Sequence, residues 1–396
     1  MSLRIAVVTP LFPIRSEPYR GIPIYQTVVE LQKLATVRVI CPLAVYPRWR
    51  ALRPSSYVYR QADDEFQPPL VPVDYVRYRA LPVLSRPWNA ANCASKILPA
   101  LRRFNPDLVL AYWLYPEGRG ALLAGRKLDV PVVGGARGSD LKRPPDRISH
   151  YLLQSTVRNM DGLLTVSDEL RQRSIAWGIE AQRIRTVLNG CDTRLFYPAD
   201  RQEARRGLHL PEDEEIILFV GHLISLKGLP ELIDAFIQLA PSRPKLRLVC
   251  VGEGAWNAGW SLHLQKEGLD RRVLLPGGCP PSEVARWMAA ANVVCLPSHS
   301  EGCPNVVIEA LACGRPVVAT TVGAIPDLVN SACGFLVPPG RPAELTQALT
   351  AALDQSWNPA VLASAFRRGW DQAAQETLDF CREIKARFHT GARQTC

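Results

Sequence analysis

"HSEGCPNVVIEALACGRPVVAT", His299 to Thr320, is the stretch on which the reading of this chain turns. The apolar run "VVCLPS" in front of it reads as a buried strand. "NVVIEALACG" has helical spacing and stops at Cys313-Gly314, a good helix end. "PVVAT" then returns as a strand. The segment is therefore strand, loop, helix, strand, the repeating unit of a parallel sheet. Pro304 suits the start of the helix, where its missing N–H costs nothing. The free N–H groups of that helix start favour an anion, and Gly302 lets a ligand approach the backbone. Glu301 projects at the helix mouth and Glu309 from inside it. An eight-residue helical separation spans roughly 12 Å, longer than the roughly 5–9.5 Å between the paired carboxylates of glycoside hydrolases. The pair fits two grips on one elongated ligand, a diphosphate over the helix mouth with a hydroxyl-rich group at each end. A plain helix with two surface glutamates is the competing reading.

The same alternation extends in both directions. "IILFVGHL", "GLPELIDAFIQLA", "LRLVCVGEG", "VLLPGG", "PSEVARWMAAA" and "GFLVP" complete a doubly wound α/β domain. The first half opens with "RIAVVTP", "IYQTVVELQKLA" and "VRVICPL", again β-α-β, and continues through "DLVLAYW", "VPVVGGARGSDL" and "GLLTVSD". Ala44 to Pro87 reads as a long irregular excursion rich in Pro, Arg and aromatics. At "IRTVLNGCDTRLFYP" an Asn-Gly turn signal and the charged stretch after it mark a boundary. The expectation is two facing Rossmann-like parallel-sheet domains with a cleft between them, residues 1–195 and 196–374. A C-terminal helix, about 375–396, is free to pack back on the first. Ligands of such sheets sit at the carboxyl ends of the strands.

Composition narrows the classes. The chain has 396 residues and a net charge of +10. Residues 1–198 carry 28 Lys and Arg against 16 Asp and Glu, a net +12, and the remainder is nearly balanced. That asymmetry points to an anionic partner for the first half: nucleic acid, an anionic membrane surface or a phosphorylated acceptor. No nucleic-acid motif supports the first. The eleven cysteines show no C-x-x-C spacing, so zinc and a disulfide framework are not expected, and reduced core thiols are. No apolar run reaches the ~18 residues a spanning helix needs. "MSLRIAVVTPLFP" reads as a first strand rather than a signal peptide.

Two further loops carry candidate chemistry. "FVGHLISLKG" ends a strand at Val220 and places Gly221, His222 and Lys227-Gly228 in the loop, where a lysine suits phosphate. "VGEG" is a glycine turn, Gly252 to Gly254, without the full dinucleotide fingerprint.

Together these pieces resemble the retaining glycosyltransferases of family 4, with the GT-B fold. "SEGCPNVVIEALACGRPVVAT" is similar to the family's E-x7-E region, and "VGHLISLKG", "VGEG", "LTVSDEL" and "VLNGCDTRLFYP" match its other landmarks in order. "RGSD" and "YPEG" look like bacterial members that build exopolysaccharide or teichuronic-acid-type polymers. The resemblance implies a nucleotide diphosphate sugar donor, a hexosyl transfer with retention, no cofactor and no metal. Glu309 would bind the ribose hydroxyls and Glu301 the donor sugar. The backbone of Gly302, Cys303, Asn305 and Val306 would hold sugar and diphosphate. Lys227 would neutralise the departing diphosphate, with Gly221, Gly252 and Gly254 in the donor loops and Gly21 making close approach to phosphate or acceptor. The mechanism implied is front-face, with a leaving phosphate oxygen deprotonating the acceptor.

The sequence also departs from the pattern. His222 stands where the family usually has a diphosphate-binding arginine. Arg137, in "GARGSD", stands where many members carry a histidine, and with Asp140 would sit at the cleft edge. Trp113, Tyr115 and Glu117, with the basic aromatic run Tyr46 to Arg60, would border the acceptor. That acceptor would be a glycan or a polyprenyl-linked sugar, handled in the cytoplasm with peripheral contact at the inner face of the membrane as an option. Two other readings stand beside this one: a nucleotide-sugar epimerase of the same fold, and a non-catalytic nucleotide-sugar-binding partner of another glycosyltransferase.

Overall fold

The structure, a computed structural model, describes residues 2–46, 66–80, 86–142, 146–365 and 368–394. The chain forms two compact units, Met1–Leu188 with Trp370–Cys396, and Asn189–Gly369.

The first unit is built on a seven-stranded sheet of β1 (Arg4–Val8), β2 (Thr36–Val45), β3 (Val73–Arg79), β4 (Leu108–Tyr112), β5 (Val132–Ala136), β6 (Gly162–Thr165) and β7 (Ile184–Thr186). The order is β3-β2-β1-β4-β5-β6-β7, and every pairing is parallel. Central strands read as unbroken apolar runs because helices cover both faces; β4 and β5 are buried throughout. Val7, Leu110 and Val133 share one core with Leu378, Phe380 and Ile384 of the long helix Trp370–Gln394. A β-carbon at Gly162 would meet Ile384 at 2.8 Å, so the glycine in β6 lets this helix lie down on the sheet. Its register is pinned by Lys385 on Asp107 at 2.8 Å and Arg185 on Glu383 at 2.9 Å.

The excursion expected from Ala44 to Pro87 is partly ordered sheet. β2 runs to Val45, and "VDYVRYR" forms the edge strand β3. Flanking prolines mask this strand in the sequence, while its β-branched and aromatic residues favour it. Arg38 meets Asp74 across the β2–β3 pair at 2.6 Å. Most of the basic aromatic run, Trp49 included, lies outside the described residues.

The second unit has a six-stranded sheet of β8 (Glu215–Val220), β9 (Leu246–Val251), β10 (Val273–Gly277), β11 (Val293–Leu296), β12 (Val317–Thr320) and β13 (Gly334–Val337). The order is β10-β9-β8-β11-β12-β13, again parallel. Strand order reverses between β1 and β4 in one sheet and between β8 and β11 in the other. Connections leave in opposite directions at these points and open a crevice at the carboxyl ends. The loops after β8 and β11 carry Lys227 and Glu301. Those after β1 and β4 carry Gly21 and the Trp113–Glu117 turn.

Candidate functional site

In the second unit one glycine decides where the lysine goes. Gly228 has a φ of 75°, and a β-carbon there would overlap the carbonyl of Pro297. Only glycine allows the turn Ser225–Lys227 to lie on the loop after β11. His299 N–H donates to the Leu226 carbonyl at 3.0 Å and fastens the two loops together. Lys227 Nζ then reaches Glu301 Oε1 at 2.7 Å. Ser298 Oγ donates to the same oxygen at 2.7 Å, and Thr320 Oγ1 to the Ser298 carbonyl at 2.5 Å. Glu301 is thus held from two sides. Behind it, Ala324 N–H donates to the Gly302 carbonyl at 2.8 Å, and Gly323 lies where a β-carbon would press on that oxygen.

The helix Asn305–Ala312 starts beside this pair. Pro304 precedes it and provides no side-chain cap. The first-turn N–H groups of Asn305 and Val306 find no acceptor among the described residues. Such groups, with the positive end of the helix dipole, attract an anion. Asn189, buried at 5%, donates from Nδ2 to the Cys303 carbonyl at 3.1 Å and to Asn305 Oδ1 at 2.7 Å. The Asn-Gly pair expected as a turn signal therefore does other work: neither Asn189 nor Gly190 has a positive φ, and the asparagine amide braces the helix start.

Glu309 lies on the same helix, half-buried, and its carboxylate has no hydrogen-bond partner among the described residues. Burial pushes its carboxyl up to about 7. The thiols of Cys191 and Cys313 are pushed up to about 12, chiefly by burial and further by the Glu309 charge. An ionised, unpaired carboxylate in apolar surroundings needs hydroxyl donors. From about pH 4.5 to about 7 the folded unit binds a proton here that the unfolded chain has released. Stability that is present below this window is lost as pH rises through it. For a hydroxyl-rich ligand held by this carboxylate, affinity would run the other way and rise as the carboxylate forms. Titration of a sugar nucleotide, whose diphosphate diester does not ionise in this range, is expected to show binding that strengthens from pH 6 to 8. Glu309→Gln is expected to bind more weakly with a flat profile.

The other donor-loop residues divide by cause. The glycines 221, 252 and 254 have φ values of 158°, 148° and 145°. A β-carbon at Gly252 would overlap the Gly221 carbonyl, and one at Gly254 would sit 2.8 Å from the Leu223 backbone. The first requirement at Gly252 and Gly254 is therefore close packing of the loops after β8 and β9. His222 is exposed on the first of these loops.

In the first unit Gly21 has a φ of 65° and a backbone packed on Leu11, which leaves no room for a side chain. Arg137 lies after β5, with its guanidinium 5.6 Å from the Tyr112 ring centroid. Asp140 accepts from the N–H groups of Arg137 at 3.0 Å and Gly138 at 2.9 Å. Burial pushes its carboxyl up to about 6 against those bonds. Asp140 thus shapes the loop that carries Arg137. Trp113 adopts a left-handed φ of 70°, and Tyr115 is half-buried beside it.

Glu117 corrects the sequence expectation. It is 2% exposed and accepts from Tyr78 Oη at 2.7 Å, so it is a buried polar contact under the β4 turn, away from any acceptor in solution. Glu117→Ala is expected to cost roughly 1–3 kcal/mol, because the Tyr78 hydroxyl loses its buried acceptor. Chemical denaturation measures it.

Sequence reasoning brought Lys227, Glu301, Gly302, Cys303, Asn305, Val306 and Glu309 to one place, and the structure assembles them around one helix start. It missed Ser298, Thr320 and Asn189. Each is a common polar residue whose role appears only when distant loops meet.

The chain matches known proteins along its length. Residues 24–195 match the family described as Glycosyltransferase Family 4, and residues 200–376 match Glycosyl transferases group 1. A putative teichuronic acid biosynthesis glycosyltransferase, TuaC, of Bacillus subtilis is 28% identical over 98% of this chain and 97% of its own. A D-inositol 3-phosphate glycosyltransferase of Catenulispora acidiphila is 32% identical over 69% of this chain and 71% of its own. Among solved structures, Anabaena HepE in complex with UDP superposes with a TM-score of 0.73 at 18% identity, over 95% of this chain and 99% of its own. The lipopolysaccharide outer core galactosyltransferase WaaB gives 0.72 at 17%, over 96% and 99%. The chain belongs to the family 4 glycosyltransferases of the GT-B fold.

Proposed function

We propose that this glycosyltransferase moves a hexose from a nucleotide diphosphate sugar, with retention, to a glycan or lipid-linked sugar in polysaccharide biosynthesis. The observation that carries the reading is the Lys227–Glu301 pair at 2.7 Å beside the uncapped start of the helix that holds Glu309. The helix mouth takes the diphosphate. Glu309 accepts the ribose hydroxyls and Glu301 a hydroxyl of the donor sugar. Lys227, already 2.7 Å from Glu301, places its charge where the leaving diphosphate develops its own. In this reading the protein's cations do the work of a metal. A phosphate oxygen of the leaving group takes the acceptor's proton as the new glycosidic bond forms, so no enzyme nucleophile is required.

Two features support the acceptor class. The first half of the chain carries the net +12, which suits a polyprenyl-phosphate-linked acceptor and peripheral contact with an anionic membrane. Among the described residues no helix is long and apolar enough to cross a membrane. The relatives named for teichuronic acid and for inositol phosphate also point to anionic products or acceptors.

Thermal-shift binding of UDP, GDP and ADP, followed by transfer assays with the matching sugar nucleotides, tests the reading. A shift with one nucleotide, turnover in the presence of EDTA and an anomeric configuration retained by NMR are expected. No shift with any nucleotide overturns it. A shift without turnover favours the binding-partner reading, and a sugar nucleotide epimerised without acceptor favours the epimerase.

A further inference from the structure

We infer that Asn189 is a positioning residue for the donor diphosphate, because its amide takes up the two oxygens that would otherwise oppose an anion at the start of the Asn305–Ala312 helix. The inference rests on the reading of that helix start as the diphosphate site.

One side chain makes both contacts. Asn189 Nδ2 has two hydrogens, and they go to the Cys303 carbonyl at 3.1 Å and to Asn305 Oδ1 at 2.7 Å. The second bond fixes which end of the Asn305 amide remains. With Oδ1 engaged, the Nδ2 of half-buried Asn305 is left, a pure donor without a partner among the described residues. Without Asn189 the Asn305 amide is free to rotate and present its oxygen to the same place. The first bond withdraws lone-pair density from the carbonyl of Cys303, two residues ahead of the helix. The result is a helix start that offers N–H groups and takes back as little negative charge as the backbone allows. An anion is stabilised most where its surroundings are donors already in place.

Asn189 is itself held. Arg368 Nε donates to its carbonyl at 3.2 Å, and Cys191 N–H donates to the Arg368 carbonyl at 3.1 Å. Asn189 and Arg368 are both buried, at 5% and 8%. These are the places where the chain enters and leaves the second unit. The amide is therefore fixed by both crossings of the chain rather than by its own short segment.

The test compares nucleoside with nucleoside diphosphate. UDP, GDP and ADP, each beside its own nucleoside, are titrated calorimetrically into wild type, Asn189→Ala, Asn189→Asp and Asn305→Ala. For the base that wild type binds, Asn189→Ala is expected to weaken the diphosphate roughly 10- to 100-fold and to leave the nucleoside within about twofold. Asn189→Asp is expected to be worse than Asn189→Ala, since it adds a carboxylate beside the anion. Asn305→Ala, at a half-buried position on the first turn, should show the same selective loss and keeps the question open to measurement if the Asn189 variants fail to fold. The double variant Asn189→Ala/Asn305→Ala should lose less than the sum of the two, because one residue acts partly through the other. Equal losses for nucleoside and diphosphate mean that Asn189 is only a structural tie, and this overturns the inference, as does no loss at all. In either case the functional reading stands if wild type binds the diphosphate. Wild type that binds none of the three diphosphates overturns that reading as well.

Discussion

Lys227→Ala is expected to lower kcat/KM for sugar transfer by roughly 100- to 1,000-fold, the range for losing one preorganised stabiliser of developing charge. His222→Ala is expected to stay within a few-fold of wild type. The asymmetry comes from the loop after β8. Gly228 lets the loop turn onto Pro297, and this delivers Lys227 to Glu301 at 2.7 Å, while His222 stays exposed on the same loop. Beside the diphosphate role proposed for it, Lys227 holds Glu301 in register with Ser298. Glu301→Gln separates them: it removes the charge partner and keeps the lysine. If the lysine acts on the diphosphate, Lys227→Ala raises the KM for donor and lowers kcat, and Glu301→Gln lowers mainly kcat. Steady-state kinetics with the donor found by thermal shift measures both. Activity of Lys227→Ala equal to wild type would sink the diphosphate role.

Gly228→Ala is the second large effect, and it acts on folding. The β-carbon would overlap the Pro297 carbonyl at a φ of 75°, so the clash is with backbone and cannot be relieved by a rotamer. The second unit is expected to lose about 4 kcal/mol or more. Gly268→Ala is the control. It has a similar φ of 68° with nothing within 4 Å of the added carbon. Its cost should be only the strain of a left-handed alanine, about 1 kcal/mol. Urea unfolding of the two variants separates clash from strain. Similar losses would mean that the close approach of the two loops is not what requires Gly228.

Much of this was legible in the amino-acid order. Parallel strands buried on both faces leave unbroken apolar runs, so β8, β9, β11 and β12 stand out directly. The loop after β11 stands out too, because glycine, proline and a helical pattern follow each other without ambiguity. Less legible was anything decided by contact between distant segments. β3 hides among prolines because an edge strand needs few apolar residues. Glu117 looks like a loop carboxylate until Tyr78 is found beneath it. Glycines 252 and 254 look like ligand glycines, yet their neighbours are other backbone segments. Asn189 resembles a turn former because its partners lie more than a hundred positions away. Local pattern reports which residues alternate. It does not report which lone pairs are already satisfied.

The placement of the Trp370–Gln394 helix has a consequence for how the chain is made. Its Phe380, Cys381 and Ile384 fill the core beneath β1, β4 and β5, so the first unit is assembled from two separated pieces of chain, while Asn189–Gly369 is one continuous piece. Domains generally fold as units as they leave the ribosome, usually in order of synthesis. Here the order inverts. The second unit has all its residues outside the tunnel before the first can close its core, and until then that face of the first sheet, which Ile24, Val28 and Leu31 of the Ile22–Leu31 helix cover only in part, waits for the Trp370–Gln394 helix to emerge.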